Sequence, residues 1–206
     1  MRKLQYEQLE HAPLSGILID IGGGQKALYQ NLLPKGLDYS SANIDPDIQP
    51  TFLVKPGEKI PAKAGSFDCC LSMNTLEHVY DPVFLLKEML RLLKPGGTAF
   101  IFVPWMFRIH AHPDDYGRYT PSWWQLALGE AGFSRAEITP LVWGRFSTAA
   151  EITGFRVFKA FSKHYVHFKD IVYAALFARS PTGRYSNARG KRIANVALAY
   201  YIAAKK

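Results

Sequence analysis

An apolar run that ends in an acid and three glycines, LIDIGGG at residues 18–24, constrains the fold of this chain most. Residues 16–22 are almost entirely apolar, which is typical of a strand buried on both faces of a sheet. Glycines directly after such a strand permit a tight turn and a close approach of the backbone to a ligand. Leu28 and Leu32 then recur at helical spacing. The stretch therefore predicts a strand, a tight turn and a helix.

Strand and helix patterns alternate along the rest of the chain. The clearest helix begins with Asp81 as its N-cap and Pro82 in its first turn, and we expect it to stop at Pro95. Its polar residues, Lys87, Glu88, Arg91 and Lys94, form one stripe on an otherwise apolar helix. A second helix is predicted from Thr120 to Gly132, and further strands at 40–47, 51–55, 66–74, 98–105, 134–143 and 197–206. This alternation predicts an α/β doubly wound sheet, whose ligands bind at the carboxyl ends of the strands.

Length and composition predict one domain over residues 1–206. A chain of 206 residues with 48% hydrophobic content can bury a sizeable core. Its longest apolar runs, IVYAALFA and VALAYYIAA, are shorter than the ~20 residues of a membrane span, so we expect no signal peptide and no transmembrane helix. Cys69 and Cys70 are adjacent and should point to opposite faces of a strand as buried thiols. We therefore expect a cytoplasmic protein.

The glycine pattern alone leaves a dinucleotide as one candidate ligand. Residues 22–27 fit the pattern G-x-G-x-x-G/A, and Asp45 lies 21 positions past Gly24, where an acid that binds ribose is expected. A nicotinamide-dependent oxidoreductase is therefore one interpretation. The spacing Tyr-x-x-x-Lys of short-chain dehydrogenases occurs at Tyr165, but it also occurs at Tyr201, so it carries little weight.

Four blocks in order give a more specific indication. They are LIDIGGG, NIDPD, the stretch SFDCCLSMNTLEHVYDPVFLLKEMLRLLKPGGTAFIFVP, and DYGRYTPSWWQLALGEAGF. Together they resemble the class I S-adenosylmethionine-dependent methyltransferases, in particular the type 11 branch, over about residues 16–143. The resemblance implies a Rossmann-like, mostly parallel seven-stranded sheet of order 3-2-1-4-5-7-6 with an antiparallel last strand. It also implies that the glycine turn and the following helix N-terminus face the carboxylate of S-adenosylmethionine.

The same resemblance assigns roles to individual residues. Asp20 would orient the ammonium end of the cofactor, and Asp45 would accept both ribose hydroxyls. Lys26 stands where the family often has a third glycine, and Pro56 stands where its adenine-binding Asp would fall, which leaves Glu58 as a substitute. These two departures keep open a non-catalytic binding protein that retains the fold. The implied cofactor-binding residues are Asp20, Gly22, Gly23, Gly24, Asp45, Pro46, Glu58 and Asn74.

The acceptor is expected on the far side of the cofactor, beside segment 106–120. His78, His112 and Tyr116 are the candidate catalytic residues, because a base assists transfer to a hydroxyl. We expect a small-molecule, glycan or lipid-linked acceptor. The spacing of His110, His112 and Asp114 is also typical of metal hydrolases, but the sequence offers no second cluster of ligands, so no metal is predicted.

Residues 145–195 contain ten Lys or Arg and two acids, and so carry the whole net charge of +8. Their aromatic and apolar residues recur every three or four positions, which predicts an amphipathic helical insertion before the last strand. It is either a helix packed over the sheet with a solvated basic face or a cap over the acceptor site that contacts an anionic membrane. Nucleic acid could also bind such a basic face, but the sequence contains no known recognition module that would favour it. The recurring residues are Phe155, Phe158, Phe161, Tyr165, Phe168 and Val172.

If the insertion contacts membranes, the protein should co-sediment with vesicles that contain anionic lipid and not with neutral vesicles. Each basic residue close to an anionic surface contributes about 1 kcal/mol, so binding should be strong at low salt and weaken as salt is added. Equal and negligible sedimentation with both kinds of vesicle at low salt would eliminate the membrane interpretation.

Overall fold

The computed structural model describes residues 1–110, 113–142, 144–153, 165–172 and 195–206. Within them the strands are β1 Ile17–Ile21, β2 Asp38–Asn43, β3 Phe52–Leu53, β4 Phe67–Met73, β5 Leu93–Pro104, β6 Arg135–Leu141 and β7 Ala199–Lys205. The helices are α1 Arg2–Glu10, α2 Pro82–Leu92, α3 Pro121–Ala131 and α4 Arg145–Thr153. Residues 165–172 are also helical.

The seven strands form one sheet in the order β3-β2-β1-β4-β5-β7-β6, which confirms the predicted order. Strands β1 to β5 pair in parallel, and β7 is antiparallel to both β5 and β6. In the centre, Asp20 of β1 lies opposite Ser41 of β2 and Leu71 of β4. The carboxyl ends of β1, β2, β4 and β5 therefore meet at one edge of the sheet.

Apolar side chains pack on both faces of the sheet. One cluster joins alternate residues of β1, such as Ile19, to the inward faces of α2 and α3. The other joins Leu18 to α1. Cys69 and Cys70 are buried in different clusters and are free thiols, as the alternation of a strand predicts.

Helix α2 begins as predicted but ends earlier. The Asp81 carboxylate accepts a hydrogen bond from the Phe84 amide at 3.1 Å. The helix ends at Leu92, because residues before a proline favour extended backbone, and β5 begins ahead of Pro95. The predicted polar stripe is interrupted, since Glu88 is only 3% exposed. Glu88 instead binds Arg91 and the Ile60 amide, which fixes the loop before β4 to the helix.

The helix predicted after the glycine turn is absent, and this expectation was wrong. Residues 22–37 form turns and a single 3₁₀ turn at Gln30–Leu32. Leu28, which suggested a helix by its spacing, is 75% exposed, whereas Tyr29 is buried and anchors the segment instead. Conversely, α1 has no counterpart among the predicted elements, although Met1 and Leu9 are buried at helical spacing.

Strand β2 ends at Asn43, two residues before Asp45. Asp45 caps a 3₁₀ turn at Pro46–Ile48, because its side chain accepts from the Asp47 amide. Strand β3 has two residues, fewer than the predicted 51–55. The predicted strands therefore extend too far at this side of the sheet. Polar turn residues compete with the strands for backbone hydrogen bonds there.

Part of the predicted insertion is described. Asp170 is buried, and its carboxylate accepts from the Phe146 and Ser147 amides, which holds residues 165–172 against the start of α4. Tyr165 and Phe168 are 57% and 61% exposed. Phe155, Phe158 and Phe161 lie outside the described residues. No helix in the described ranges has the length and apolarity to span a membrane.

Glu88→Gln should lower the free energy of unfolding by about 2 kcal/mol at pH 7, because it removes a charged hydrogen bond to Arg91. Burial alone would raise the pKa of Glu88, but its bonds to Arg91 and Ile60 outweigh burial and hold that pKa below its usual value. Its stabilisation is therefore complete above the unfolded pKa and is lost as the pH falls through the folded value.

Denaturant unfolding at several pH values measures this difference, which should shrink below about pH 4. Lys87→Gln, an exposed change in the same helix, is the control and should have little effect at any pH. A Glu88→Gln deficit that is the same at pH 3 and pH 7 would contradict the assignment.

Candidate cofactor and acceptor site

Three loops meet at the glycine turn that follows β1. A Cβ atom at Gly22, where φ is +89°, would lie 1.9 Å from the Thr75 hydroxyl, and one at Gly24 would lie 2.3 Å from the Ile48 carbonyl oxygen. Only glycine fits this close approach. The side-chain amide of Asn43, in β2, donates to the Gly22 carbonyl at 2.7 Å and so fixes the turn. Sequence analysis missed Asn43, whose role depends on a residue 21 positions away.

Asp20 lies beneath this turn with no exposed surface. The hydroxyls of Tyr29 and Tyr39 each donate to its Oδ2 at 3.0 Å. Its Oδ1 atom is buried and accepts no hydrogen bond from any of the residues that the structure describes. Burial, which disfavours the charged form, raises the pKa of Asp20 to about 7. The end of β1 therefore holds an acceptor oxygen that still needs a donor.

Asp45 stands just past the end of β2. Its amide donates to the Asn43 side chain at 3.0 Å, and its Oδ1 accepts from the Asp47 amide at 2.9 Å. Pro46 is exposed in the first position of the 3₁₀ turn. Glu58 is exposed in a separate turn that follows β3. The cofactor roles of these three residues stay predictions.

Asn74, at the end of β4, has a left-handed backbone with φ of +52°. Its side chain exchanges two hydrogen bonds with Gln5 of α1, at 2.8 and 3.0 Å. Gln5 is fully buried, so α1 is fixed beside the sheet edge by a specific polar contact. Sequence analysis missed Gln5, although it lies at helical spacing between the apolar residues Met1 and Leu9.

The side on which the acceptor is expected is built around the 3₁₀ turn Leu76–His78 that follows β4. The backbone carbonyl of Glu77 accepts from the Tyr116 amide at 2.8 Å, and Nδ1 of His78 contacts the Asp114 carbonyl at 2.5 Å. Tyr116 is half exposed and donates its hydroxyl to the Asp114 carboxylate at 3.1 Å. The structure thus brings together His78, in the loop after β4, and Tyr116, in the segment after β5. His112 lies outside the described residues.

Glu77 and His110 join His78 at this point. The Glu77 side chain is 2% exposed, and burial raises its pKa to about 8. Its Oε1 lies 3.7 Å from Nε2 of His78 and 3.8 Å from Nε2 of His110. Burial also lowers the pKa of His110, which favours the neutral ring. Glu77 could not be predicted from spacing, because only its burial and its proximity to His110 in the fold distinguish it from other acids.

An ion pair holds segment 110–118 in position. Asp115 binds the Arg118 guanidinium at 2.5 Å and accepts from the His110 amide at 2.9 Å. Burial alone would raise the pKa of Asp115, but these contacts outweigh it and lower the pKa to about 2. Asp115 is therefore ionised at neutral pH and orients His110.

Comparisons with known proteins match part of this chain to a family. Residues 19–101 match the type 11 family model described as a methyltransferase domain. An uncharacterized methyltransferase of Mycobacterium sp. (strain KMS) is 30% identical over 120 residues, which are 53% of this chain and 48% of the relative. The chain therefore spans about half the length of the curated relatives that it matches.

Solved structures share the fold at low sequence identity. A SAM-dependent methyltransferase of Thermotoga maritima superimposes with a TM-score of 0.62 at 15% identity, over 99% of this chain and 87% of that one. Phosphoethanolamine N-methyltransferase 2 of Haemonchus contortus, in complex with S-adenosylmethionine, has a TM-score of 0.59 at 14% identity, over 100% of this chain and 52% of that one.

The matched residues and the strand order together support one class of protein. Residues 19–101 are similar to a methyltransferase domain, and the sheet has the strand order of class I S-adenosylmethionine-dependent methyltransferases, as the resemblance of the motifs implied. S-adenosylmethionine is accordingly the cofactor that the comparisons support. The expected acceptor class, in contrast, is not determined by them.

The residues at the end of β1 fit this cofactor. The unpartnered Oδ1 of Asp20 is suited to accept from an ammonium group, such as that of the methionine part. The expected helix N-terminus is absent, however, and the amides of Gly22, Gln25 and Lys26 already donate to carbonyls of the protein. The cofactor's carboxylate would therefore meet a turn rather than a helix dipole.

Asp45→Ala should weaken binding of S-adenosylmethionine by on the order of 1–3 kcal/mol, or roughly 5- to 150-fold, because the ribose hydroxyls lose their acceptor. Asp45→Asn retains an oxygen that can cap the Asp47 amide, so it separates loss of the carboxylate from loss of the turn. It should also bind more weakly than the unmodified chain.

Titration calorimetry with S-adenosylmethionine measures both effects. Asp47→Ala, an exposed change in the same turn, serves as the control and should retain affinity. If both Asp45 variants bound the cofactor as tightly as the unmodified chain, the ribose assignment would be wrong.

Proposed function

We propose that this protein transfers the methyl group of S-adenosylmethionine to a small-molecule, glycan or lipid-linked acceptor. The observation that carries the proposal is the buried Asp20 carboxylate beneath the glycine turn, which keeps one acceptor oxygen for the cofactor. It lies at the end of β1, an inner strand of a sheet with the methyltransferase order.

Methyl transfer requires mainly that the nucleophile lie in line with the methyl group, so positioning supplies much of the rate. The loop after β4 is suited to this task because it belongs to both halves of the site. Asn74 and Thr75 contact the cofactor side, where the Thr75 hydroxyl donates to the Ile21 carbonyl at 3.2 Å. His78 lies a few residues further on, beside Tyr116. An acceptor between His78 and Tyr116 would therefore be held close to the cofactor.

The basic segment 145–195 favours an anionic or lipid-linked acceptor within this class. It carries the whole net charge of the chain, and its described part exposes Tyr165 and Phe168. Lys169 lies 4.6 Å from the Tyr165 ring centroid, so a positive charge accompanies the exposed aromatic side chain. Aromatic and basic side chains together are suited to the interface between lipid headgroups and water.

Tyr116→Phe should lower kcat several-fold at saturating S-adenosylmethionine and leave the affinity for the cofactor unchanged, because the lost hydroxyl lies on the acceptor side. The assay follows release of S-adenosylhomocysteine with a panel of small hydroxylated molecules, glycans and lipid-linked sugars. Tyr80→Phe is the matched control, since Tyr80 is 83% exposed and its ring packs edge-on against Tyr116.

Two results would overturn the proposal. Binding of S-adenosylmethionine with no release of S-adenosylhomocysteine for any acceptor would indicate a binding protein that retains the fold. Binding of NAD in its place, with oxidation of NADH, would indicate the oxidoreductase that the glycine pattern left open.

A further inference from the structure

Glu77, His78 and His110 form a cluster with the chemistry of metal ligands. Their ligand atoms all lie within 4.8 Å of one another. The distances from the Glu77 Oε1 atom to the two Nε2 atoms, 3.7 and 3.8 Å, are too long for hydrogen bonds. They are close to the roughly 3.4 Å that separates two ligand atoms bound about 2.1 Å from one tetrahedral ion.

In both imidazole rings, the nitrogen that lies away from Glu77, Nδ1, faces a carbonyl oxygen. Nδ1 of His78 is 2.5 Å from the Asp114 carbonyl, and Nδ1 of His110 is 3.2 Å from the Arg108 carbonyl. A carbonyl only accepts, so each Nδ1 is assigned the proton and each Nε2 turns a lone pair towards Glu77. Outer hydrogen bonds of this kind orient histidines that bind metals.

A carboxylate adds to the contacts of His110. Asp115 Oδ2 lies 3.3 Å from Nδ1 of that ring and accepts from its backbone amide. The Arg118 guanidinium also lies 3.2 Å from this Nδ1, but it is bound to Asp115 by two hydrogen bonds. Asp115 thus supports the His110 ring from the side opposite Glu77, as the carboxylate does in a carboxylate–histidine–zinc arrangement.

The burial and hydrogen bonding of the Glu77 side chain point independently to a bound cation. The side chain is 2% exposed, and among the described residues neither of its oxygens has a hydrogen-bond partner. The nearby amides of Tyr116 and Gly117 donate to its backbone carbonyl instead. A buried carboxylate without donors is costly unless a cation compensates it. Its Oε1 atom is directed towards the two imidazoles.

We propose that Glu77, His78 and His110 bind one divalent transition-metal ion, for which Zn²⁺ is the best-suited probe, and that the ion leaves a position open for an oxygen of the acceptor. Two histidines and one glutamate with an open fourth position are the ligand set of a catalytic zinc site. The assignment of the open position rests on the proposed methyl transfer, whereas metal binding by the three side chains does not.

The ion would select acceptors that carry a hydroxyl. Coordination lowers the pKa of a bound hydroxyl, so its O–H bond breaks and the proton passes to solvent water. The oxygen then forms a bond to the methyl carbon while the bond from carbon to sulfur breaks and leaves its electron pair on sulfur. The products are a methyl ether and S-adenosylhomocysteine, and the metal keeps its oxidation state.

Calorimetric titration of the metal-free full chain with ZnCl₂ tests the site. We expect one equivalent to bind, and His78→Ala and His110→Ala each to lower its affinity by about 100-fold or more. His11→Ala is the control, because His11 is an exposed histidine at the end of α1, and its Zn²⁺ binding should match the unmodified chain. Equal stoichiometry and affinity in all three variants would overturn the proposal.

Because a change at buried Glu77 could disturb folding, a spectroscopic measurement accompanies the titration. Co²⁺ bound by these three residues should give visible absorption bands of low-symmetry, four- or five-coordinate cobalt. The bands should be lost in His110→Ala, whose folding is checked by thermal unfolding. Co²⁺ bands that persist unchanged in folded His110→Ala would also overturn the proposal.

Two further readouts distinguish failure of the metal site from failure of the proposed function. A chain that turns over the acceptor after complete removal of metal by a chelator, and that binds no Zn²⁺ in the titration, would overturn the metal site and leave methyl transfer standing. Zn²⁺ binding that depends on His78 and His110 in a chain that does not bind S-adenosylmethionine would do the reverse. Loss of turnover on chelation, restored by Zn²⁺, supports both.

Discussion

The cost of burying a carboxylate at the end of β1, an inner strand of the sheet, organises the edge that is expected to bind the cofactor. Asp20 has no contact with solvent, and within the described part of the chain two tyrosine hydroxyls donate to its Oδ2 atom and no group donates to Oδ1. Tyr29 comes from the segment after β1 and Tyr39 from β2, so the carboxylate fixes that segment to the paired strands β1 and β2. The side-chain amide of Asn43 then fixes the glycine turn above Asp20. The strength of this edge therefore depends on polar contacts around one residue.

The sheet and the helix caps could be predicted because their signals are local. Buried strands appear as apolar runs, and the Asp81 cap depends on a residue three positions away. The segment after β1 was mispredicted because Leu28 has helical spacing, while the residue that anchors the turn is Tyr29. The contact between Gln5 and Asn74 spans 69 positions, and no local pattern reports such a pairing. Long-range polar contacts are thus what the sequence conceals.

The same limit applies to the acceptor side. The motif that contains His78 and the segment that contains His110 are each visible in the sequence, but their proximity depends on β4 and β5 being neighbours in the sheet. Glu77 gains its importance only from burial, which removes it from water without supplying a donor. One short stretch after β4 therefore makes two kinds of contact, with a side-chain amide towards α1 and ionisable groups towards the loop after β5.

The replacement of a helix by turns after β1 also has a consequence for local stability. A helix protects its amides cooperatively, whereas residues 22–37 contain one 3₁₀ turn and otherwise isolated bonds such as that from Lys26 to the Ile48 carbonyl. Such a segment opens without unfolding the sheet. Its amides will therefore exchange with deuterated solvent as a unit separate from β1, and a ligand that occupies the turn will slow their exchange before it affects any strand.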